Sequence, residues 1–437
     1  MTSRWAGLAI VLLLVVAGLS LGTAGCDPCS SCSSHSQPTS APTSANACLP
    51  SSSIGILVQG KNATAYLPQG CWADGGCGDG TASVTVVPIE TSSGIGTGGA
   101  PASITTGNVP NSCSSNSTTG QTVCVANNTD VYLINGTTLS STLTSGATGS
   151  EGFSGGDCEN CGVVVDASIN KALITVGLET GGPGGYQFLD LSGTPTFETP
   201  IPAGAETSED ISIDPVRHLI LSPNEDSDYQ LVNISSSPAA VFNNDVSGES
   251  ESPEFDSAGE DCTTGIALGT DEFTGDLFIA DLTQAEFTPG TPAGTWTDAA
   301  SQLVNFPEFD DMSAGTCGIA VAPGTHLGIV TGEYGGDLEG VVELPATSGS
   351  GTPAFVDYVA FTVPSPPSPE EGWSEGYDPH TVTAYVSPNT KKAYGVLEND
   401  DFSYLAIVDL QALLSAPRSG HTVTSIPAGA ITFIPES

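Results

Sequence analysis

Two stretches of the chain, GVVVDASINKALITV (residues 162–176) and ISIDPVRHLILSP (residues 211–223), share the pattern that decides the fold. In each, a short apolar run is followed by a turn rich in Asp, Asn or Pro and then by a second apolar run. Such pairs of runs are typical of β-hairpins. The pattern recurs in IGILVQGKNATAYLP (54–68), GIALGTDEFTGDLFIAD (265–281), GIAVAPGTHLGIVTG (318–332) and TVTAYVSPNTKKAYGVLEN (381–399).

Each hairpin is followed by an acidic or Gly-rich turn and a third apolar run, such as YQFLDL (186–191), and a degenerate copy fills residues 122–139. Marking the first turn at Asp166, Asp214, Gly269, Ala322 and Ser387 gives spacings of 48, 55, 53 and 65 residues. A four-stranded sheet cannot bury both of its faces alone, so such units pack side by side until a ring closes. We therefore expect an all-β fold over residues 53–437, a β-propeller of seven four-stranded blades, with six or eight blades as alternatives.

The repeats also resemble a known class. VCVANNTDVYLING (123–136) and KAYGVLENDDFSYLAIVDL (392–410) are similar to the YVTN and NHL types of propeller repeat. The resemblance extends over most of the chain at the level of the repeat pattern only. It implies a propeller and names no ligand.

The composition excludes several functional classes. The 437 residues include 7 Lys and Arg against 49 Asp and Glu, a formal net charge of −42, together with 53 Gly and 31 Pro. Coiled coils and helical bundles need far more Lys, Glu, Arg and Leu. Nucleic acid is not an expected partner, because so few cations cannot neutralise a run of phosphates. Hydrophobic residues make up 38% of the chain, which is enough for a buried core.

The first residues are typical of an export signal. A short positive segment is followed by an apolar run from Trp5 to Leu21 and by TAGC at residues 23–26. TAGC resembles the lipobox of bacterial lipoproteins, except that Thr23 replaces the usual aliphatic residue. We expect a signal peptide at 1–25, lipidation of Cys26 and a Ser/Thr/Pro-rich tether at 26–52. The protein would then be an exported lipoprotein, anchored to a membrane and facing the periplasm or cell surface. Plain secretion to the extracellular space and an uncleaved anchor are the alternatives.

Twelve cysteines in an exported chain indicate disulfides. Cys113 and Cys124 flank SSNSTTGQTV, which places them opposite each other across a hairpin. Cys71 and Cys77 bracket a Gly-rich turn and form a second candidate pair.

Four further cysteines are expected at the starts of blades. Cys262 and Cys317 precede the innermost strands of two successive blades in this interpretation, where a bond would join neighbouring blades. Cys158 and Cys161 occupy the same position one blade earlier. They form either a tight disulfide with each other or cross-pairs with Cys262 or Cys317.

The charges divide between two faces of the predicted ring. We call bottom the face with the turns between first and second strands and between third and fourth strands. The top face holds the other turns and the connections between blades. All cations after residue 4 fall on the bottom: Lys61, Lys171, Arg217, Lys391, Lys392 and Arg418.

Carboxylates are expected to collect on the top face. Crowded carboxylates favour bound cations or raised pKa values, and ligand sets made only of oxygen favour Ca²⁺. The candidate ligands are Glu179, Glu225, Glu333, Asp210, Asp261 and Asp311. The alternatives are that acidic residues simply occupy solvated turns, or that they adapt the protein to high salt or low external pH.

These features favour a binding or scaffold protein at the cell envelope, whose acidic top face meets Ca²⁺, a cationic ligand or a partner protein. The alternative is a Ca²⁺-dependent hydrolase that resembles propeller lactonases and gluconolactonases. In that case His380 would be the base and Asp378 an adjacent acid at the mouth of the channel. No residue-by-residue match to a lactonase site supports the enzyme, so we expect a binding role.

Overall fold

Seven antiparallel sheets form the seven four-stranded blades of a β-propeller. The structure is a computed structural model. It describes residues 54–68, 82–126, 129–145, 162–176, 184–203, 210–224, 228–236, 239–245, 255–271, 274–290, 293–297, 302–309, 316–332, 338–346, 355–364, 382–398 and 404–435. The fold class expected from the repeats is confirmed.

The first four blades follow one another along the chain. Blade 1 contains β1 (Gly55–Gln59), β2 (Asn62–Pro68), β3 (Ser83–Thr91), β4 (Gly94–Ile95) and β5 (Ala102–Thr105). Blade 2 contains β6 (Pro110–Asn116), β7 (Gln121–Ala126), β8 (Asp130–Asn135) and β9 (Thr138–Thr144). Blade 3 contains β10 (Val163–Asp166), β11 (Lys171–Val176), β12 (Gly185–Asp190), β13 (Thr196–Phe197) and β14 (Ile201–Pro202). Blade 4 contains β15 (Ser212–Asp214), β16 (Leu219–Asn224), β17 (Asp228–Asn233) and β18 (Ala240–Asp245).

The last three blades include two inserted hairpins. Blade 5 contains β19 (Phe255–Asp261), β20 (Ile266–Asp271), β21 (Asp276–Asp281) and β24 (Gln302–Asn305), with β22 (Glu286–Thr288) and β23 (Gly294–Thr297) inserted before β24. Blade 6 contains β25 (Thr316–Ala322), β26 (Leu327–Gly332), β27 (Glu339–Glu343) and β28 (Asp357–Phe361). Blade 7 contains β29 (Val382–Val386), β30 (Ala393–Leu397), β31 (Tyr404–Asp409) and β34 (Ile431–Pro435), with a short helix α1 (Leu410–Leu414), β32 (Arg418–Ser419) and β33 (Thr422–Val423) inserted before β34. No helix in the described residues is long and apolar enough to cross a membrane.

Apolar cores lie between the blades rather than inside them. Each of seven clusters of buried side chains joins one blade to the next, and the seventh joins blade 7 to blade 1. In that seventh cluster Ile54 and Ile56 meet Val396 and Ile407. The final strand β34 pairs with β31 inside blade 7 and adds Ile434 to the same cluster. The ring therefore closes by burial of apolar side chains, which is the main favourable term in folding.

Blade 5 begins one strand earlier than the repeat pattern indicated. Its first strand is FDSAGED (Phe255–Asp261), and the apolar runs of 265–281 are its second and third strands. The first turn of this blade therefore follows Asp261 and not Gly269. Gly269 lies within β20, where a Cβ atom would stand 1.8 Å from the Tyr229 hydroxyl oxygen. A glycine is needed there for a close approach between blades and not for a turn.

The two inserted hairpins bind to the preceding blade. β23 pairs in parallel with β18, the outer strand of blade 4, and β33 pairs in parallel with β28, the outer strand of blade 6. Trp296 of β23 is almost fully buried, and its indole N–H donates a hydrogen bond to the Tyr229 carbonyl at 2.9 Å. Each hairpin covers an edge strand that would otherwise leave backbone groups unpaired.

Candidate functional site

Acidic residues mark the described top ends of blades 2, 4, 5, 6 and 7. Acidic residues lie at or beside the top ends of several strands: Asp130, Asp210, Asp256, Asp271, Asp276, Glu339 and Glu398. All but Asp130 and Asp276 are buried. The segments that connect the top ends of strands contain Asp and Glu in the sequence but no Lys or Arg. The top ends therefore carry carboxylates without cationic neighbours in sequence.

The described residues hold two of the candidate Ca²⁺ ligands. Asp210 lies at the start of blade 4, on the top side as expected, and is 1% exposed. Its carbonyl accepts a hydrogen bond from the Ala258 amide of blade 5 at 2.9 Å, so it lies within the contact between the two blades. Glu179, Glu225, Glu333, Asp311, Asp378 and His380 lie outside the described residues.

The expected position of Asp261 is wrong. Asp261 ends β19, the first strand of blade 5, and so lies on the bottom face, where its carboxylate oxygens bond Thr263, Gly324 and His326; it is therefore withdrawn from the candidate Ca²⁺ ligands. The error follows from the register of blade 5, because FDSAGED is too polar to be recognised as a strand. Among the described residues, no three His, Cys, Asp or Glu side chains converge as a metal site would require. Calcium therefore stays a prediction.

The cysteines are partly described. A disulfide joins Cys113 to Cys124, which face each other across β6 and β7, as predicted. Cys262 is disulfide-bonded and buried, but it follows β19 on the bottom side, whereas Cys317 is the second residue of β25. Cys262 therefore follows the first strand of its blade and does not precede it, contrary to expectation. Cys26, Cys71, Cys77, Cys158 and Cys161 lie outside the described residues.

All six cations after residue 4 do lie in bottom turns or at their edges, but the bottom face is not positively charged. Carboxylates end the first or third strands there, at Asp166, Asp190, Asp214, Asp261, Asp281 and Asp409. They cap turns or bind the cations. The described ion pairs are Lys171–Glu198 at 2.6 Å, Arg217–Asp214, Lys392–Asp409 at 2.6 Å and Arg418–Asp357 at 2.7 Å. Opposite polarity of the two faces was therefore a wrong expectation.

The bottom turns also connect one blade to the next. The Asp166 carboxylate accepts from the Ser168 amide in its own turn and bonds Nδ1 of His218, in the next blade, at 2.8 Å. Asp261 repeats this arrangement two blades further on, bonding Nδ1 of His326 at 2.7 Å. Both histidines occupy left-handed backbone positions, with φ of 55° and 61°. That conformation is uncommon for a bulky residue and is held by the turn and by the bond to the neighbouring blade.

These contacts shift the pKa values of their members. Hydrogen bonds with the Asp166 and Asp261 carboxylates raise the pKa of His218 and His326, respectively. Burial by itself would raise the pKa of Asp261, but the hydrogen bonds from His326 and Thr263 outweigh it and the pKa is lowered. Both histidines are therefore held more strongly in the charged form than a free imidazole.

Two other joints between blades use other residue types. The Asn116 amide donates to the Asn170 side chain of blade 3 at 3.0 Å. At the junction of blades 7 and 1, the buried Glu90 carboxylate accepts from the Ser387 hydroxyl at 2.6 Å, the Asn389 amide at 2.9 Å and the Tyr385 hydroxyl at 3.2 Å. The sequence analysis did not predict these contacts between the bottom turns of neighbouring blades. The sequence does carry a signal for them, because an Asp, Asn or Ser recurs at the first turn of several blades.

The chain matches no known protein family and no curated protein. Among solved structures, it is similar to a functionally unknown protein from Desulfotomaculum acetoxidans DSM 771. The identity is 14% and the TM-score 0.47, over 88% of this chain and 99% of that chain.

Proposed function

We propose that this protein is a binding or scaffold propeller of the cell envelope, exported and held at a membrane by a lipid on Cys26. Its acidic top face binds a cation, either Ca²⁺ or a cationic group of a partner. The propeller fold supports a binding or scaffold role. Export and the anchor rest on the N-terminal sequence.

One observation carries the proposal: no Lys or Arg falls at the top ends of the strands or in the segments that connect them, while Asp and Glu recur there. On the bottom face, by contrast, carboxylates have cationic or histidine partners within hydrogen-bond distance. Acidic groups crowded together with no Lys or Arg nearby in the sequence repel one another, and a cation from outside relieves that repulsion. A face arranged in this way attracts cations and slows the approach of anions.

Calcium is the cation of first choice, since carboxylate, amide and carbonyl oxygens are its usual ligands. The segments around Glu225 and Glu333 supply such groups in the sequence. The hydrolase alternative rests on Asp378 and His380, and no contact of a described residue favours it.

The test is thermal unfolding of the full-length protein at low ionic strength, first with EDTA and then with millimolar CaCl₂. We expect Ca²⁺ to raise the Tm, and E225Q or E333Q to reduce the rise. D190N is the matched control, because Asp190 lies in a bottom turn where its carboxylate accepts from the Ser192 amide. An equal rise in NaCl of matched ionic strength would remove Ca²⁺ from the proposal.

The binding of a cationic partner is tested with a basic peptide, by titration calorimetry at two salt concentrations. We expect binding that weakens with salt and is reduced by E225Q combined with E333Q but not by D190N. If neither Ca²⁺ nor the peptide distinguishes the top-face variants from the control, the proposed role of the top face is wrong.

A further inference from the structure

The contact between blades 4 and 5 differs in chemistry from those on either side. On β15, Ile211 and Ile213 face the apolar cluster shared with blade 3, so Ser212 and Asp214 face the other way, towards blade 5. On β19, the Ser257 hydroxyl bonds the Ile319 amide of blade 6 at 3.1 Å. Its neighbour Ala258 lies in the apolar cluster shared with blade 4, and Glu260, two residues further along the regular part of the strand, faces the same way. We call this contact the 4/5 seam.

Glu260 is buried in the 4/5 seam without a direct partner. The residue is 2% exposed, and neither carboxyl oxygen has a hydrogen-bond partner within 3.5 Å. Ser212 on the facing strand is fully buried, and its hydroxyl oxygen also lacks a partner. A buried ionised carboxylate without partners is strongly unfavourable, whereas a neutral carboxylic acid costs far less to bury.

Burial and the nearest carboxylate both favour the protonated form of Glu260. Burial raises the pKa of Glu260 well above its usual range, and the negative charge of Asp214 adds to this effect. The positive charge of Arg217 and the polar backbone at Leu221 oppose it more weakly. Arg217 is already engaged, because it binds the Asp214 carboxylate and donates to the Cys262 carbonyl at 3.2 Å.

A metal ion is a poorer explanation for this seam than a proton. No three metal-binding side chains converge in the part of the chain that the structure describes. The guanidinium of Arg217 already places a positive charge beside Asp214. A proton on Glu260 needs no further ligand.

We propose that the 4/5 seam is closed by a proton on Glu260 and loosens when that proton leaves. With the proton bound, β15 and β19 pack against each other with a neutral side chain between them. Ionisation at higher pH places a second negative charge next to Asp214 in a buried contact. Water must then enter, or the strands must separate.

The other titratable groups around the seam come from both blades, and among them β17 contributes the buried Tyr229, whose pKa is raised by burial and by Asp271 and Asp256. β15 and the turn after it contribute Asp214, Arg217 and His218, with Asp210 just before the strand, and β20 contributes Asp271. β19 itself adds Asp256 and Asp261. His218 and His326 bind carboxylates in the contacts on either side, and their protons also stabilise the ring. Protons therefore favour three successive contacts, between blades 3 and 4, 4 and 5, and 5 and 6.

The pH dependence has a definite sign. In the unfolded chain Glu260 loses its proton near its ordinary value of 4.5. The folded protein keeps that proton to higher pH, so stability falls as pH rises from about 4.5 towards the folded pKa. E260Q keeps the shape and a neutral side chain, so it should remove this loss.

The test compares the Tm of the full-length wild type and E260Q from about pH 4 to pH 8. We expect equal Tm values near pH 4 and a Tm advantage for E260Q that grows with pH to several degrees. E90Q is the matched control. Glu90 is also buried, but its carboxylate accepts hydrogen bonds from Ser387, Asn389 and Tyr385. E90Q should therefore lower the Tm and show no growing advantage.

Two further measurements test the loosening of β19 and the protonation of Glu260 directly. Hydrogen exchange of the β19 amides should be faster at pH 8 than at pH 5 in the wild type and should change less in E260Q. Infrared spectroscopy near pH 6 should show a protonated carboxyl band that E260Q lacks. A Tm difference that does not change with pH would overturn the proposal. So would a Ca²⁺-dependent Tm rise that E260Q abolishes.

Discussion

Replacing Asp261 with Ala should weaken the bottom contact between blades 5 and 6. One carboxylate oxygen accepts from the Thr263 amide at 3.0 Å, the Thr263 hydroxyl at 2.6 Å and the Gly324 amide at 3.2 Å. The other oxygen bonds Nδ1 of His326 at 2.7 Å. Two of these four donors belong to the neighbouring blade, so the residue caps its own turn and ties it to the next.

The loss of stability in D261A can be calculated from the backbone amides that lose their acceptor. Asp261 is fully buried, so D261A leaves two backbone amides without their acceptor. Each such loss costs about 1–3 kcal/mol, which gives roughly 4 kcal/mol for the pair. A fold of this length has an unfolding entropy of roughly 0.8 kcal/mol per kelvin, so the Tm should fall by about 5 °C.

The assay is calorimetric unfolding near pH 6, with D190A as the control. Asp190 caps the Ser192 amide at 2.8 Å inside its own blade and is partly exposed, so its loss should lower the Tm far less. Hydrogen exchange should accelerate in the turn at 323–326 of D261A. Equal Tm decreases in the two variants would refute the idea that contacts between blades add stability beyond a local turn cap.

Two further predictions concern other joints of the ring. The raised pKa of His326 contributes stability that is fully present below about pH 6.5 and is lost as pH rises through the folded pKa. Asn tolerates the left-handed backbone at position 326, so H326N removes the charge without straining the turn. The loss of unfolding free energy in H326N should be largest at acidic pH and smaller above neutrality, and a loss that is constant with pH would contradict this. W296A should cost about 3–5 kcal/mol and speed hydrogen exchange in β18, because the indole is buried between the inserted hairpin and blade 4. W296F should cost less, and equal effects would show that the ring volume does not matter.

The apolar hairpins were enough to predict the propeller and its seven blades. Val163–Asp166 with Lys171–Val176, and Ser212–Asp214 with Leu219–Asn224, pair as the sequence pattern indicated. The reason is local: both runs of a hairpin lie within a few residues of one another, and their turn residues are specific for the geometry. The Cys113–Cys124 bond was predictable for the same reason.

The first strand of blade 5 was not predictable, because FDSAGED lacks the apolar residues by which the first strands of blades 3 and 4 were recognised. Tertiary contacts supply its partners. The Ser257 hydroxyl accepts from the Ile319 amide of blade 6 at 3.1 Å. In the same way, the Ser112 and Ser114 hydroxyls of blade 2 accept hydrogen bonds from the Val163 and Val165 amides of blade 3, at 3.3 and 3.1 Å respectively. An innermost strand has a free edge, so hydroxyl groups from the preceding blade take the place of a pairing strand.

The sequence by itself determined the propeller, the hairpin turns, the disulfide across one of them and the restriction of Lys and Arg to the bottom turns, because each depends on residues close together in the chain. Only the tertiary structure decided that Asp261 pairs with His326 across 65 residues, and that Glu260 is buried beside Asp214 without a partner. Both depend on which blade lies next to which and on the register of their first strands. A carboxylate in such a contact is governed by its neighbours in space, and its own stretch of sequence does not contain them.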